Sequence, residues 1–355
     1  MYSPNVTLTN LIVKYIVNIE LNNERIKNIQ LPYKTRLELY NKVHAEDIHA
    51  LSEMINTPLG FSKALEIQKG RVDISKQQIF NNYRSTQEFV KSYKSSKFMP
   101  ISSELISHLN KLLLSGILEP WEAGKFRKID EEPNEIYDTW AKNRKGETKK
   151  ELKKHFDDLG TWIYSNRNNY NKLIQSVLLL YEFTDKAPML GGNQITSFLT
   201  TGCILKEFDY NPYNTFCVAK AISTIANDYP QIFNLSKEKQ DQTLFTEAIL
   251  YVFSLESTRL KQLYEQFFEE STQKKADSKE NLNPRQKRIL EYLEKNKRID
   301  RNTCTKFMGI SFMTAYRDLN DLLNAGYLEK RGKNKNTYYI LKEKEEKSSS
   351  KSYSI

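Results

Sequence analysis

Apolar residues recur along this chain at intervals of three and four, the spacing of a helix face. Leu105, Leu109, Leu112 and Leu113 share one such face, and Leu173, Val177, Leu180 and Phe183 share another. Leu244, Ala248, Val252 and Leu255 make a third, which Leu260, Leu263, Tyr264 and Phe267 prolong. Strand-like alternation is rare before residue 320. Only 12 glycines and 10 prolines interrupt 355 residues, so the pattern predicts long helices joined by few turns. The fold class that follows is mainly α: a helical bundle, then a small α+β domain.

The pattern changes toward the C-terminus. Residues 271–283 are polar and charged with few apolar positions, and read as a linker. Pro284 then opens a helix to about residue 295 with Ile289, Leu290 and Leu293 inward. A second helix starts after Asp300 and carries Cys304 and Phe307. A turn at Gly309 leads to a third helix from about Phe312, with Ser311 as its cap. Gly326 ends that helix, and residues 327–341 alternate as two strands around a turn at 332–336. Helix, turn, helix and hairpin in this order make a winged helix-turn-helix at 284–341. Its third helix would enter the major groove of double-stranded DNA by its N-terminal half.

Charge sharpens this picture. The chain carries a net +10, and from residue 274 onward 20 Lys and Arg face 11 Asp and Glu. Nearly all of the excess is therefore in the last domain, and the body is close to neutral. A cationic end suits a polyanion partner; a merely solvated tail, residues 342–355, explains part of it. An apolar fraction of 39% supports a packed core, and no run approaches the ~18 apolar residues of a membrane span. Cys203, Cys217 and Cys304 fit neither a zinc spacing nor paired disulfides, and read as reduced thiols of a cytoplasmic protein. His44, His49, His108 and His155 read as partly buried helix residues, and Glu131/Glu132 and Asp157/Asp158 as solvated acids. No metal is assigned.

The stretch from Ser311 to Tyr339 resembles the winged helix at the C-terminus of many Fic-family proteins, with the pattern SxxTAxRDLxxLxxxGxLxxxGxxxxTYY. Ser311, Thr314, Tyr316 and Arg317 are the candidate groove contacts, and Lys330, Arg331, Lys333 and Lys335 the candidate phosphate contacts. Phe312 and Met313 stand where relatives often carry basic residues. A domain used only for dimerisation or packing is the competing reading.

The body is similar to a Fic domain. Residues 173–208 accept the family signature H-P-F-x-(D/E)-G-N-G-R-x-x-R without a gap. Pro188, Gly192 and Asn193 match it. Ala187 stands at the general-base histidine, Gly191 at the metal-holding carboxylate, and Ile195 and Phe198 at the two arginines. Met189 replaces the phenylalanine and Gln194 the last glycine. GKFRK at 124–128, with Arg127, resembles the turn after the family's first core helix. Residues 49–60 stand where longer family members carry an inhibitory helix, with Ile55 in place of its glutamate. That glutamate pairs with the second motif arginine, so Ile55 and Phe198 would now form an apolar contact.

The resemblance implies a Fic-like helical bundle at 99–270, preceded by a helical region at 1–98 with a remnant of the inhibitory helix. The family transfers AMP from a nucleotide to a protein hydroxyl. That chemistry needs a base, a magnesium ligand and arginines, and Ala187, Gly191, Ile195 and Phe198 supply none of them. The expectation is a catalytically degenerate protein without cofactor that binds DNA as a transcriptional regulator. It would be a homodimer, with a possible protein partner at the body and no membrane association. The alternative is a protein AMP transferase with an atypical site using ATP and magnesium, its nucleotide held by Gly191, Gly192, Asn193 and Arg127. A third reading is a non-catalytic partner of an active Fic enzyme.

Overall fold

A computed structural model describes residues 2–71, 77–93, 101–129, 131, 147–280, 282–332 and 336–342, with backbone alone for 274–280. The first compact unit, Met1–Phe268, is built from helices throughout. In chain order these are α1 (Asn10–Asn28), α2 (Tyr33–Met54), α3 (Phe61–Gln68), α4 (Gln78–Ser92), α5 (Ser103–Leu114) and α6 (Lys149–Ser165). Then follow α7 (Lys172–Lys186), α8 (Asn193–Glu207), α9 (Val218–Ser223), α10 (Tyr229–Glu238) and α11 (Thr243–Glu280).

Their starts are set by local polar residues. Thr9, Ser102 and Asn171 cap α1, α5 and α7 by accepting from backbone N–H groups one turn on. Thr148 and Glu151 form a reciprocal capping box at α6. Asp157 reinforces α5 from α6, accepting from the Ser103 N–H at 2.7 Å and its hydroxyl at 3.1 Å. Asp157 is thus a structural acceptor rather than a solvated acid. Sequence reading missed this because its partner lies 54 residues away.

α7 and α8 are the centre of the bundle. Every residue from 173 to 183 and from 193 to 205 is buried. Helices apolar on all sides belong inside, but α8 also buries four hydroxyl residues. Thr196 and Thr200 resolve this by donating to the carbonyls four residues back, each at 2.7 Å. Ser197 donates to the Gln194 carbonyl. Leu109 and Leu113 on α5 are buried as the pattern predicts.

In α11 the inward stripe differs from the predicted one. Leu244 and Leu255 are exposed at 37% and 42%, while Phe245, Ile249, Val252, Phe253 and Tyr264 are buried. Residues 244–255 offer two overlapping apolar stripes. The buried one carries the larger aromatic surface and packs on Tyr181, Phe216, Tyr229 and Phe233, while α1 lies along Ser254, Ser257 and Thr258, which accept from Asn18 and Asn22.

The residues expected as a linker, 271–283, are helical up to Glu280 as the end of α11. Lys, Glu, Gln and Ala are good helix formers. Polarity alone therefore does not separate a connecting helix from a flexible link.

The second unit holds α12 (Pro284–Asn296), α13 (Arg301–Met308), α14 (Phe312–Asn324), β1 (Leu328–Arg331) and β2 (Tyr338–Leu341). The strands are antiparallel, with Leu328 opposite Leu341 and Arg331 opposite Tyr338. Ile299 adds a bridge to Tyr339 with both backbone bonds made. Its core is Ile289, Leu293, Cys304, Ala315, Leu319, Leu322 and Tyr339. Asn283 caps α12 in a box with Gln286, and Asp300 caps α13. The winged order read from the sequence is present. No described helix is long and apolar enough to cross a membrane.

One close approach fixes how α6 seats against the start of α5. A Cβ at Gly160 would stand 2.0 Å from the Ile101 carbonyl oxygen. Gly160→Ala should therefore destabilise the body by about 1–3 kcal/mol, the usual cost of overpacking. An unchanged denaturant midpoint for the body's transition would refute this.

Candidate functional site

Two places carry the residues singled out from the sequence: the exposed face of α14 with the wing, and the turn between α7 and α8.

α14 buries Ala315, Asp318, Leu319 and Leu322. Its other face presents Phe312 at 49% exposure, Met313 at 59%, and an exposed Arg317. Met313 and Arg317 are four apart, so they share one side of the helix. Ser311 holds the helix start, its hydroxyl oxygen accepting from the Thr314 N–H at 3.2 Å. The two hydroxyls lie 2.9 Å apart.

Tyr316 is half-buried beneath Arg301, whose guanidinium sits 4.3 Å from the ring centre and 5.8 Å from that of Phe312. Arg301 was not among the sequence candidates. Its place at the start of α13 gave no pattern to find it by; only the packing of α13 on α14 brings it to Phe312 and Tyr316. Asp318 is not available to solvent. It takes Arg285 Nε at 2.8 Å and ties the start of α12 to α14.

On the wing, Lys330 is exposed. Arg331 lies 3.2 Å from Glu329, an exposed ion pair of the kind worth about 0–1 kcal/mol. Such a pair can give way to a phosphate. Lys333 and Lys335 fall outside the described residues.

The α7–α8 turn is built differently. Ala187 ends α7 at φ +39°, with its N–H donating to the Phe183 carbonyl. Pro188 and Met189 follow in the core, and the Arg127 N–H donates to the Pro188 carbonyl at 2.9 Å. The Arg127 side chain, 1% exposed, donates Nε to the Ala187 carbonyl and Nη2 to that of Lys186, both at 3.0 Å. Asn110 donates to the Gly191 carbonyl at 2.9 Å and to Thr196, and accepts from the Gly124 N–H. Asn193 clasps Met189 through both its N–H and its carbonyl, at 2.8 and 3.0 Å.

Gly192 is left-handed at φ +66°, and a Cβ there would press on Leu114 at 3.3 Å. A glycine is required by both facts. The four groups proposed to hold a nucleotide, Gly191, Gly192, Asn193 and Arg127, are thus brought together, but their hydrogen bonds run within the turn and its supports. Ile195 and Phe198 are buried at 0% and 1% exposure.

Ile55 is also buried, at the end of α2, in the same core as Phe198. The α2 residues that share a cavity with Phe198 are Tyr40 and His44. His44 lies eleven residues before Ile55, about 16 Å along a helix at ~1.5 Å per residue. Of the other histidines, His49 Nδ1 lies 2.6 Å from the Leu59 carbonyl and His155 bonds Glu182 at 2.8 Å. His108 packs on the Phe89 ring.

Because Asn110 serves three buried partners at once, Asn110→Ala orphans a carbonyl and an N–H in the core. The expected loss is about 1–3 kcal/mol for each unsatisfied group. A denaturation midpoint within error of the parent would show that the turn does not depend on it.

Comparison with known proteins places both parts. No curated protein sequence matches the chain. A family model described as a DeoR-like helix-turn-helix domain matches residues 285–332. Among solved structures, the chain is similar to a Fic family protein from Desulfovibrio desulfuricans: TM-score 0.59 and 18% identity, covering 98% of this chain and 100% of that one. A Fic domain containing signalling protein from Bacteroides thetaiotaomicron matches with TM-score 0.53 and 15% identity, over 71% of this chain and 96% of that one. Fic-1 from C. elegans matches with TM-score 0.54 and 13% identity, over 71% of each chain. By fold, then, the chain is similar to Fic proteins, and its C-terminal unit carries a DeoR-like helix-turn-helix domain.

Proposed function

We propose that this is a catalytically inert Fic-fold protein that binds double-stranded DNA through its winged helix-turn-helix and acts as a transcriptional regulator. The observation that carries the reading is the contrast between the two sites. The exposed face of α14 is open to a partner, whereas the α7–α8 turn is buried and hydrogen-bonded to its own supports.

Inertness rests on chemistry. Ala187, Gly191, Ile195 and Phe198 offer no proton acceptor, no metal ligand and no cation to a phosphate. Of the cations at the turn, Arg127 already donates to two carbonyls and Lys186 pairs with Glu147 and Asp185.

DNA binding rests on charge and shape. The excess of Lys and Arg lies from residue 274 onward. Arg317 on α14 would reach base edges, and Lys330 and Arg331 on the wing would contact phosphates. Such a regulator would act in the cytoplasm, and a two-fold dimer on a palindrome would double the contacts. The near-neutral body then serves as the dimer or protein-partner surface.

Gel-shift or anisotropy titration of the full chain on duplex DNA tests this. Binding should weaken as salt rises, with a log–log slope of about −0.9 per neutralised phosphate. Lys330→Ala should lower that slope by about 1 and weaken all sequences alike. Arg317→Ala should cost about 1–3 kcal/mol on the preferred sequence and flatten its preference. Absence of duplex binding at low salt would end the proposal.

A further inference from the structure

Away from the α7–α8 turn, α2 and the start of α9 bring three metal-ligating side chains together inside the core. His44 and Asp47 lie one turn apart on α2, and Cys217 is the residue that caps α9. All three are buried, and one ligand atom from each lies within 4.8 Å of the others. His44 Nδ1 is 3.9 Å from Cys217 Sγ.

The hydrogen bonds around this cluster have one acceptor too many. His44 Nε2 faces the Asn214 carbonyl at 2.8 Å, so that nitrogen carries a proton. Nδ1 faces Gln87 Oε1 at 3.2 Å. Gln87 donates its Nε2 to Asp47 Oδ2 at 2.6 Å. Tyr83 donates its hydroxyl to the same oxygen at 2.7 Å, and the Lys220 N–H donates to the other at 2.8 Å.

With a neutral His44 and an ionised Asp47, the lone pair of Nδ1 points at another lone pair. Turning the Gln87 amide over moves the conflict to Asp47, whose oxygen then faces Oε1. Neither orientation removes it. The Cys217 thiol, 3.9 Å from Nδ1, can donate to it, and a further positive charge, from a proton or a metal ion, resolves the remaining conflict with Oε1.

We propose that this cluster is a divalent-cation site of the zinc class, with His44 Nδ1, Cys217 Sγ and the Asp47 carboxylate as ligands and Gln87 Oε1 as the fourth. Its reach beyond the DNA-binding reading is complete: either can fail without the other.

The geometry fits. Zinc bonds of about 2.3 Å to sulfur and about 2.0 Å to nitrogen or oxygen put tetrahedral ligand atoms about 3.2–3.6 Å apart. The 3.2 Å and 3.9 Å separations are near this already, and the widest must close by about 1 Å. Three of the four lone-pair sites of the Asp47 carboxylate are used by Tyr83, Gln87 and Lys220, which leaves one for the metal. The His44–Asn214 bond orients the ring as outer-shell partners of metal-bound histidines do. A cavity of about 40 Å³ adjoins His44, Gln87 and Cys217 but not Asp47, whose carboxylate must reach the ion from behind His44.

Charge fits as well. Burial pushes both the Asp47 carboxyl and the Cys217 thiol above their ordinary values. A divalent ion would displace protons from these two groups, bind them as carboxylate and thiolate, and balance their two negative charges. The mixed sulfur, nitrogen and oxygen set favours zinc over magnesium or calcium.

The test uses the full chain stripped of metal and titrated with Zn²⁺, then with Co²⁺ as a spectroscopic stand-in. The expected result is one zinc per chain retained through dialysis, with about two protons released per metal bound. Cobalt should give a thiolate charge-transfer band and the strong visible bands of a tetrahedral site. Cys217→Ser should lose the charge-transfer band while keeping its far-ultraviolet circular dichroism. No stoichiometric zinc on the parent chain overturns the proposal without recourse to any variant. So does a thiolate band that survives in Cys217→Ser, since the metal would then sit elsewhere.

Discussion

Between α7 and α8 the chain has to turn inside the bundle, where side chains rather than water must satisfy its carbonyls. Three residues meet that demand. Arg127 takes the carbonyls of Lys186 and Ala187, Asn110 takes Gly191, and Asn193 clasps Met189. The rest of the body is arranged to make this possible. α5 brings Asn110 and the segment after it brings Arg127, and the bridge between Phe126 and Met189 holds the segment in place. α8 can then run through the core with the hydroxyls of Thr196, Ser197 and Thr200 turned back on its own carbonyls.

The same arrangement bears on function. A phosphate-binding turn needs N–H groups and cations that face a space a nucleotide can occupy. Here the guanidinium of Arg127 donates to peptide carbonyls, and Ile195 and Phe198, at the positions of the signature arginines, are buried apolar side chains. The second unit is organised the other way. An exposed Arg285 pairs with the buried Asp318 and ties α12 to α14, and the opposite face of α14 is left exposed. This contrast is what supports the proposed reading, in which the molecule works by recognition rather than group transfer.

Much of this was legible in the residues. The winged unit was read element by element because its signals are local: caps at Asp300 and Ser311, and left-handed glycines at Gly309 and Gly326. The Fic-like body was read from a resemblance around residues 173–208 and 124–128. What escaped was non-local or degenerate. Residues 244–255 carry two apolar stripes, and only packing on Tyr181, Phe216, Tyr229 and Phe233 decides between them. The charged end of α11 has the composition of a linker and the propensity of a helix. Arg301 on Tyr316, Asp157 under Ser103, and Cys217 beside His44 are pairs set by tertiary folding, with no spacing in the chain to announce them.

The claim on which the account turns is that the α7–α8 turn has no place for a nucleotide. Calorimetric titration of the full chain with ATP and Mg²⁺ tests it most directly. The account predicts no saturable heat at any ATP concentration up to the millimolar range, where weak sites still register at about −4 kcal/mol. Saturable binding at one site per chain, weakened by Asn193→Ala in a protein that remains folded, would contradict it.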